Sequence, residues 1–205
     1  MSRDTGFKPS ELRKLRSLDT PAKIQKLIDS MPYHLADTAW SPRRALREGT
    51  VHCLEGAMLA AAALRVNGHE PLILDLEADY DTDHVIAVYR QAGGWGAIAS
   101  SNYSSCRFRS PVYRTLRELA LSYFEGYFNL RGERTLRTFS RPVNLRKYDR
   151  HGWMTTEDEL WYIVEDLFDL PHTRLITPKQ EKVLVRLDPR SFRAGLLGRR
   201  SKPGF

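Results

Sequence analysis

Two residues are suited by type and position to covalent chemistry, Cys53 and His84. Cys53 opens a run of good helix formers that extends to Val66, with Gly68 as its stop. Cysteine attacks carbonyl carbon as the thiolate. Free N–H groups and the positive end of a helix stabilise that anion. The same N–H groups can receive the oxyanion of a tetrahedral intermediate. His84 opens the run His84-Val85-Ile86-Ala87-Val88-Tyr89, which reads as a strand. A strand holds an imidazole in one place, as a general base and acid requires. A cysteine on an alanine-rich helix is also a common packing residue, and the spacing of this pair does not decide between the two roles.

The elements that must position the pair follow from the apolar pattern. The Cys53–Val66 run is apolar nearly all round, which predicts a buried central helix about 21 Å long at ~1.5 Å per residue. Three apolar runs come next, 72–76, 84–89 and 95–99, separated by the polar turn 79–83 and by Gly93-Gly94. An antiparallel meander covered by the Cys53 helix is the economical arrangement. Upstream, Thr20-Pro21 predicts a capped helix to about Ser30, while the first 18 residues and 33–50 read as loosely structured, with a turn at Ser41-Pro42. Downstream, Ser110-Pro111 is expected to open a helix with Leu116, Leu119, Ala120, Tyr123, Phe124 and Tyr127 on one stripe. Residues 131–150 read as a basic loop. Thr155 or Thr156 is expected to cap a last helix whose opening turn holds Glu157, Asp158 and Glu159. The reading is one α+β domain over 1–187 and a basic, disordered tail over 188–205.

The words around the pair add to this. Cys53-Leu54-Glu55-Gly56-Ala57, then Ala61-Ala62-Ala63-Leu64-Arg65, Gly68, Pro71, Asp83-His84-Val85 and Gly94-Trp95 resemble the transglutaminase-like superfamily. The resemblance covers residues 40–105. It implies a papain/transglutaminase-like fold with a Cys-bearing helix on an antiparallel sheet. It also implies a thiol mechanism on peptide, amide or ester substrates, with Cys53 as nucleophile and His84 as base. Hydrolysis and acyl transfer both fit. The family usually places an Asp four residues after the Trp, and here that position is Ala99. Asn102 is then the residue expected to orient His84, as an asparagine does in papain-like proteases. The missing carboxylate is also what a binding or scaffold protein with lost chemistry would show.

Composition limits the other classes. The chain has 205 residues, 41% of them hydrophobic and 28% charged, which suits a folded domain and not a fibrous or disordered chain. No apolar run nears the ~18 residues of a membrane span, and the polar N-terminus lacks a secretory pattern, so a cytoplasmic protein with reduced cysteines is expected. The net charge of +7 is concentrated after Asp188 (Arg190, Arg193, Arg199, Arg200, Lys202), without the aromatic motifs of nucleic-acid modules. No metal or cofactor is expected: His52, Cys53, His84 and Cys106 lack the spacing of a zinc site. Trp40 is read as a packing anchor, Glu55 as a complement to the positive helix end, and Arg107, Arg109, Arg114 and Arg117 as an ion-paired or solvated face.

Overall fold

Five helices of this chain begin with proline in their first turn, where the ring's fixed φ favours the helix and the missing N–H costs nothing. Three of them precede the Cys53 helix: α1 (Pro9–Ser17), α2 (Pro21–Ser30) and α3 (Pro42–Glu48). Thr20 and Ser41 cap the latter two by accepting from Lys23 N and Arg44 N. The computed structural model describes residues 5–201. Two segments read as irregular are therefore helical: α1 lies within the first 18 residues and buries Leu15, and Ser41-Pro42 is the start of α3 instead of a simple turn.

The central helix α4 (Cys53–Val66) runs where the sequence places it, and every residue from Leu54 to Leu64 is buried. The meander follows as β1 (Leu72–Ala78), β2 (His84–Gln91) and β3 (Gly94–Ile98), all antiparallel. Next comes β4 (Arg109–Tyr113), then α5 (Leu116–Phe124), capped by Thr115, whose side chain accepts from Glu118 N. Ser110-Pro111 thus belongs to a strand and does not open a helix. Proline is tolerated there because β4 is an edge strand.

Residues 131–150 are not a loop. They hold β5 (Leu136–Ser140), β6 (Val143–Asn144) and a 3-10 helix over Leu145–His151. The helix expected from Thr155 or Thr156 begins later, as α6 (Trp161–Phe168). The acids meant for its first turn have other partners. Glu157 pairs with Arg47, and Glu159 takes Arg44 and the Ala39 amide. The chain continues as β7 (His172–Arg174), α7 (Pro178–Glu181) and α8 (Pro189–Gly195).

The sheet order is β4-β3-β2-β1-β5-β7, with β6 also on β1. Its two faces are both covered. Ile73, Val85, Ala87 and Tyr89 meet α4 and its neighbouring helices, and Leu74, Leu76, Ile86 and Val88 meet α5. The chain is an α+β fold built on an antiparallel sheet, as the pattern predicts. No helix among the described residues is long and apolar enough to cross a membrane.

The disorder expected over 188–205 is corrected for residues 188–201, while 202–205 lie outside the described residues. Asp188 caps α8 by accepting from Arg190 N and Ser191 N. The Phe192 ring lies 5.5 Å from the Phe128 ring. Ser104 binds the carbonyls of Gly195 and Ala194. An apolar anchor and a proper cap hold this basic segment against the domain; net charge alone does not reveal either.

Gly56 shows how closely α4 is packed. A Cβ at that position would lie 2.6 Å from the Cβ of Ser100, in the segment after β3. Gly56→Ala is expected to destabilise the fold by about 1–3 kcal/mol through overpacking, read by urea denaturation. An unchanged midpoint would show that the 99–106 segment yields freely.

Candidate active site

α4 presents Cys53 at its first position, half-buried, where backbone N–H groups are unpaired by the helix. The imidazoles of His52 and His84 stand near its sulfur and act on its charge. Burial alone would push the thiol up, and the two imidazoles outweigh it, holding Cys53 well below the ordinary thiol range. His52 responds in the opposite sense. Burial opposes its charge, but the Cys53 sulfur, the Glu55 carboxylate and the Thr38 carbonyl hold its pKa up to about 9. Each of the two groups thus favours the charged form of the other. The sequence placed His84 at the sulfur and overlooked His52, because an N-cap histidine has no periodic signal.

His84 is the first residue of β2, buried, with its ring edge-on to Tyr123 and Tyr127 at 6.3 Å. Its Nε2 lies 2.9 Å from the carbonyl oxygen of Cys106. A carbonyl only accepts, so Nε2 carries the proton and Nδ1 is the nitrogen left for the sulfur.

The orienting partner expected in Asn102 is thus a main-chain carbonyl. Asn102 lines the same cavity, but its amide is spent elsewhere: Oδ1 accepts from Arg200 N at 2.7 Å and Nδ2 donates to Arg200 O at 2.8 Å. Ala99, where a carboxylate was sought, has its N–H and C=O bound by the Gln25 side chain, each at 3.0 Å. Asp83, just before β2, lines the cavity as well, but its carboxylate accepts from Ala78 N at 2.9 Å and has no hydrogen bond to His84.

Behind the sulfur, Glu55 is fully buried and accepts from four groups. These are His34 Nε2 at 2.5 Å, Thr38 Oγ1 at 2.7 Å, Trp40 N at 3.1 Å and His52 N at 3.4 Å. The last of these makes Glu55 the expected complement of the helix start. Trp40 is the expected packing anchor: its ring stacks on His34 at 4.8 Å, under Arg44 at 4.9 Å. Among the described residues, His34, His52 and Glu55 form a cluster with ligand atoms close enough to hold a metal ion. This is not the set of His52, Cys53, His84 and Cys106. His34 already hydrogen-bonds Glu55, and His52 Nε2 is 2.7 Å from Thr38 O, so a metal would have to displace both contacts.

A cavity of about 420 Å³ opens on the pair, with Tyr33, Ser101, Tyr103 and Arg199 in its wall. Tyr33 is a second residue that sequence reading missed. Its ring lines the same cavity as Cys53, near enough for the Cys53 charge to act on its hydroxyl. Burial, then the nearby Cys53 charge, pushes its pKa up, so it stays a phenol and a donor. Cys106 lines the cavity too, but its buried thiol is pushed up to about 12 and donates to Gly126 O at 3.4 Å. It is expected to resist alkylation under conditions that consume Cys53.

A separate buried pair lies on β1. Asp75 Oδ2 is 3.1 Å from Nε2 of His172, whose Nδ1 is 2.8 Å from Leu170 O. Nδ1 therefore carries a proton, and one further proton is shared between Oδ2 and Nε2. Burial, then the nearby Asp83 charge, pushes Asp75 up to about 7. An unfolded aspartate and histidine together hold the same two protons between about pH 4 and pH 6.5, so the pair adds no slope to stability across that window. Asp75→Ala, which leaves Nε2 unmet, is expected to cost about 1–3 kcal/mol in urea melts. An unchanged midpoint would contradict this.

No protein-family model and no curated protein matches the chain.

Proposed function

We propose that this protein is a thiol enzyme of papain/transglutaminase-like fold, acting on amide or ester bonds through a thioester. The observation that carries the reading is the Cys53 residue at the start of α4, sharing a cavity of about 420 Å³ with His84, with the His52 and His84 imidazoles near enough to lower its thiol. The Cys53 thiol passes its proton to Nδ1 of His84 as the sulfur attacks the carbonyl carbon, and the carbonyl π pair moves to oxygen. The Cys53 amide and the Tyr33 hydroxyl are the donors assigned to that oxyanion in this reading. Collapse expels the amine or alcohol, protonated by His84. Water or an amine, deprotonated by His84, then attacks the thioester and releases Cys53. The Cys106 carbonyl does the orienting that a carboxylate does in other triads, by fixing the tautomer. It adds no negative charge, which favours a modest rate over none. The free thiols of Cys53 and Cys106 suit a reducing, cytoplasmic setting.

The test is acylation by p-nitrophenyl acetate, followed by intact mass and peptide mapping. The expected result is a burst of nitrophenolate and an acetyl group on Cys53, lost in Cys53→Ser. Acetylation of Cys53 no faster than in the urea-unfolded chain would leave a binding protein that has lost the chemistry, the reading Ala99 favours.

A further inference from the structure

Arg199 lies in the wall of the cavity that holds Cys53 and His84. Its guanidinium stands over the Tyr103 ring, 5.9 Å from the centroid, and donates towards that hydroxyl. Its Nε is buried and has no hydrogen-bond partner. No carboxylate among the described residues forms an ion pair with it.

The acids in the same wall are differently placed. Asp81 accepts from Thr135 Oγ1 at 2.8 Å and from Thr82 N at 2.9 Å, and Asp83 accepts from Ala78 N. They are satisfied by their own surroundings. A guanidinium offers a planar fork of donors suited to a carboxylate. Burying one with a donor unmet costs free energy that a ligand anion would offset.

The position of Arg199 is also built. Asn102 grips the next residue, Arg200, through both backbone groups at 2.7 and 2.8 Å. The Arg200 side chain reaches the Tyr33 carbonyl at 3.4 Å. Helix α8 is tied to Ser104 just before this segment. The chain is thus fixed on both sides of the cavity wall, and the side chain between is directed inward.

We infer that Arg199 is the anchor for a carboxylate on the substrate, so the preferred substrate is an amide or ester bearing a free carboxylate near the scissile carbonyl. Asn102 acts as its positioning residue. This rests on the thiol-enzyme reading above, since it is Cys53 that would attack the anchored molecule.

The test separates the two. The probes are N-iodoacetyl derivatives of glycine, β-alanine and 4-aminobutyrate, each paired with its carboxamide. In every case the Cys53 thiolate displaces iodide and forms a thioether. The best carboxylate probe is expected to label Cys53 about tenfold faster than its carboxamide. Arg199→Gln should bring that ratio to about one. Arg199→Lys should fall between. A ratio near one in the wild type, or one that Arg199→Gln does not move, overturns the anchor while fast carboxamide labelling keeps the thiol reading intact. Equal slowing of both probes in Arg199→Gln would show a merely structural side chain, and also overturns it. Carboxamide labelling no faster than in the unfolded chain removes the thiol reading, and the anchor with it.

Discussion

Glu55→Ala is expected to lower the unfolding free energy by about 3–5 kcal/mol, the usual cost of removing one partner from a buried charged network. The side chain is fully buried and is the common acceptor for His34, Thr38, Trp40 N and His52 N. Alanine leaves these donors without a partner, each unmet one costing about 1–3 kcal/mol before any relaxation. It also removes the acid that complements the start of α4. Glu55→Gln keeps the shape but puts an NH2 where one oxygen accepted, so an intermediate loss is expected. Urea denaturation reads both. A loss under about 1 kcal/mol for alanine would mean that water enters and replaces the carboxylate. The consequence reaches the site, because His52 and the 33–40 segment are held by the same acceptor.

The second large effect concerns the two imidazoles. His84→Ala is expected to reduce Cys53 acylation by about 10²–10⁴-fold, the usual contribution of general acid–base catalysis. His52→Ala should raise the thiol pKa, since its imidazolium is one of the two groups that hold the sulfur down. The sign fixes the pH dependence. A thiol held low stays ionised below its ordinary range, so the wild-type advantage is largest at acid pH. It shrinks as pH rises through the ordinary thiol pKa of ~8.5. His52→Ala should therefore slow alkylation strongly near pH 6 and little near pH 9. Equal slowing at both would point to altered access to the sulfur in place of altered ionisation.

The parts of this fold that could be read in the chain are those with a period or a cap. The buried α4, the three strands after it and the Thr20-Pro21 helix start all carry such signals. Ser41-Pro42 suits a turn and a helix start alike; ion pairs from Arg43 to Glu11 and from Arg44 to Glu159 hold the short α3 in place. Pro111 misled because a helix start and an edge strand both accept proline. The basic end of the chain misled because composition says nothing of Phe192 reaching Phe128.

In the site, Cys53 and His84 were legible from residue type and element starts. The rest was not, for a physical reason. The orienting acceptor is a backbone carbonyl, which every residue possesses, so no side chain marks Cys106 for the role. His52, Tyr33 and Arg199 reach the sulfur or its cavity through tertiary placement that leaves no local pattern. Asn102, expected to orient His84, lines the cavity but spends its amide on the Arg200 backbone.

The most direct measurement is the ionisation of the Cys53 thiol itself, followed by ultraviolet thiolate absorbance in the Cys106→Ser protein with Cys53→Ser/Cys106→Ser as blank. A midpoint well below ~8.5, shifted upward in His52→Ala and in His84→Ala, is the predicted result. A midpoint at or above ~8.5 that neither substitution moves would show an ordinary packed thiol and contradict the account at its centre.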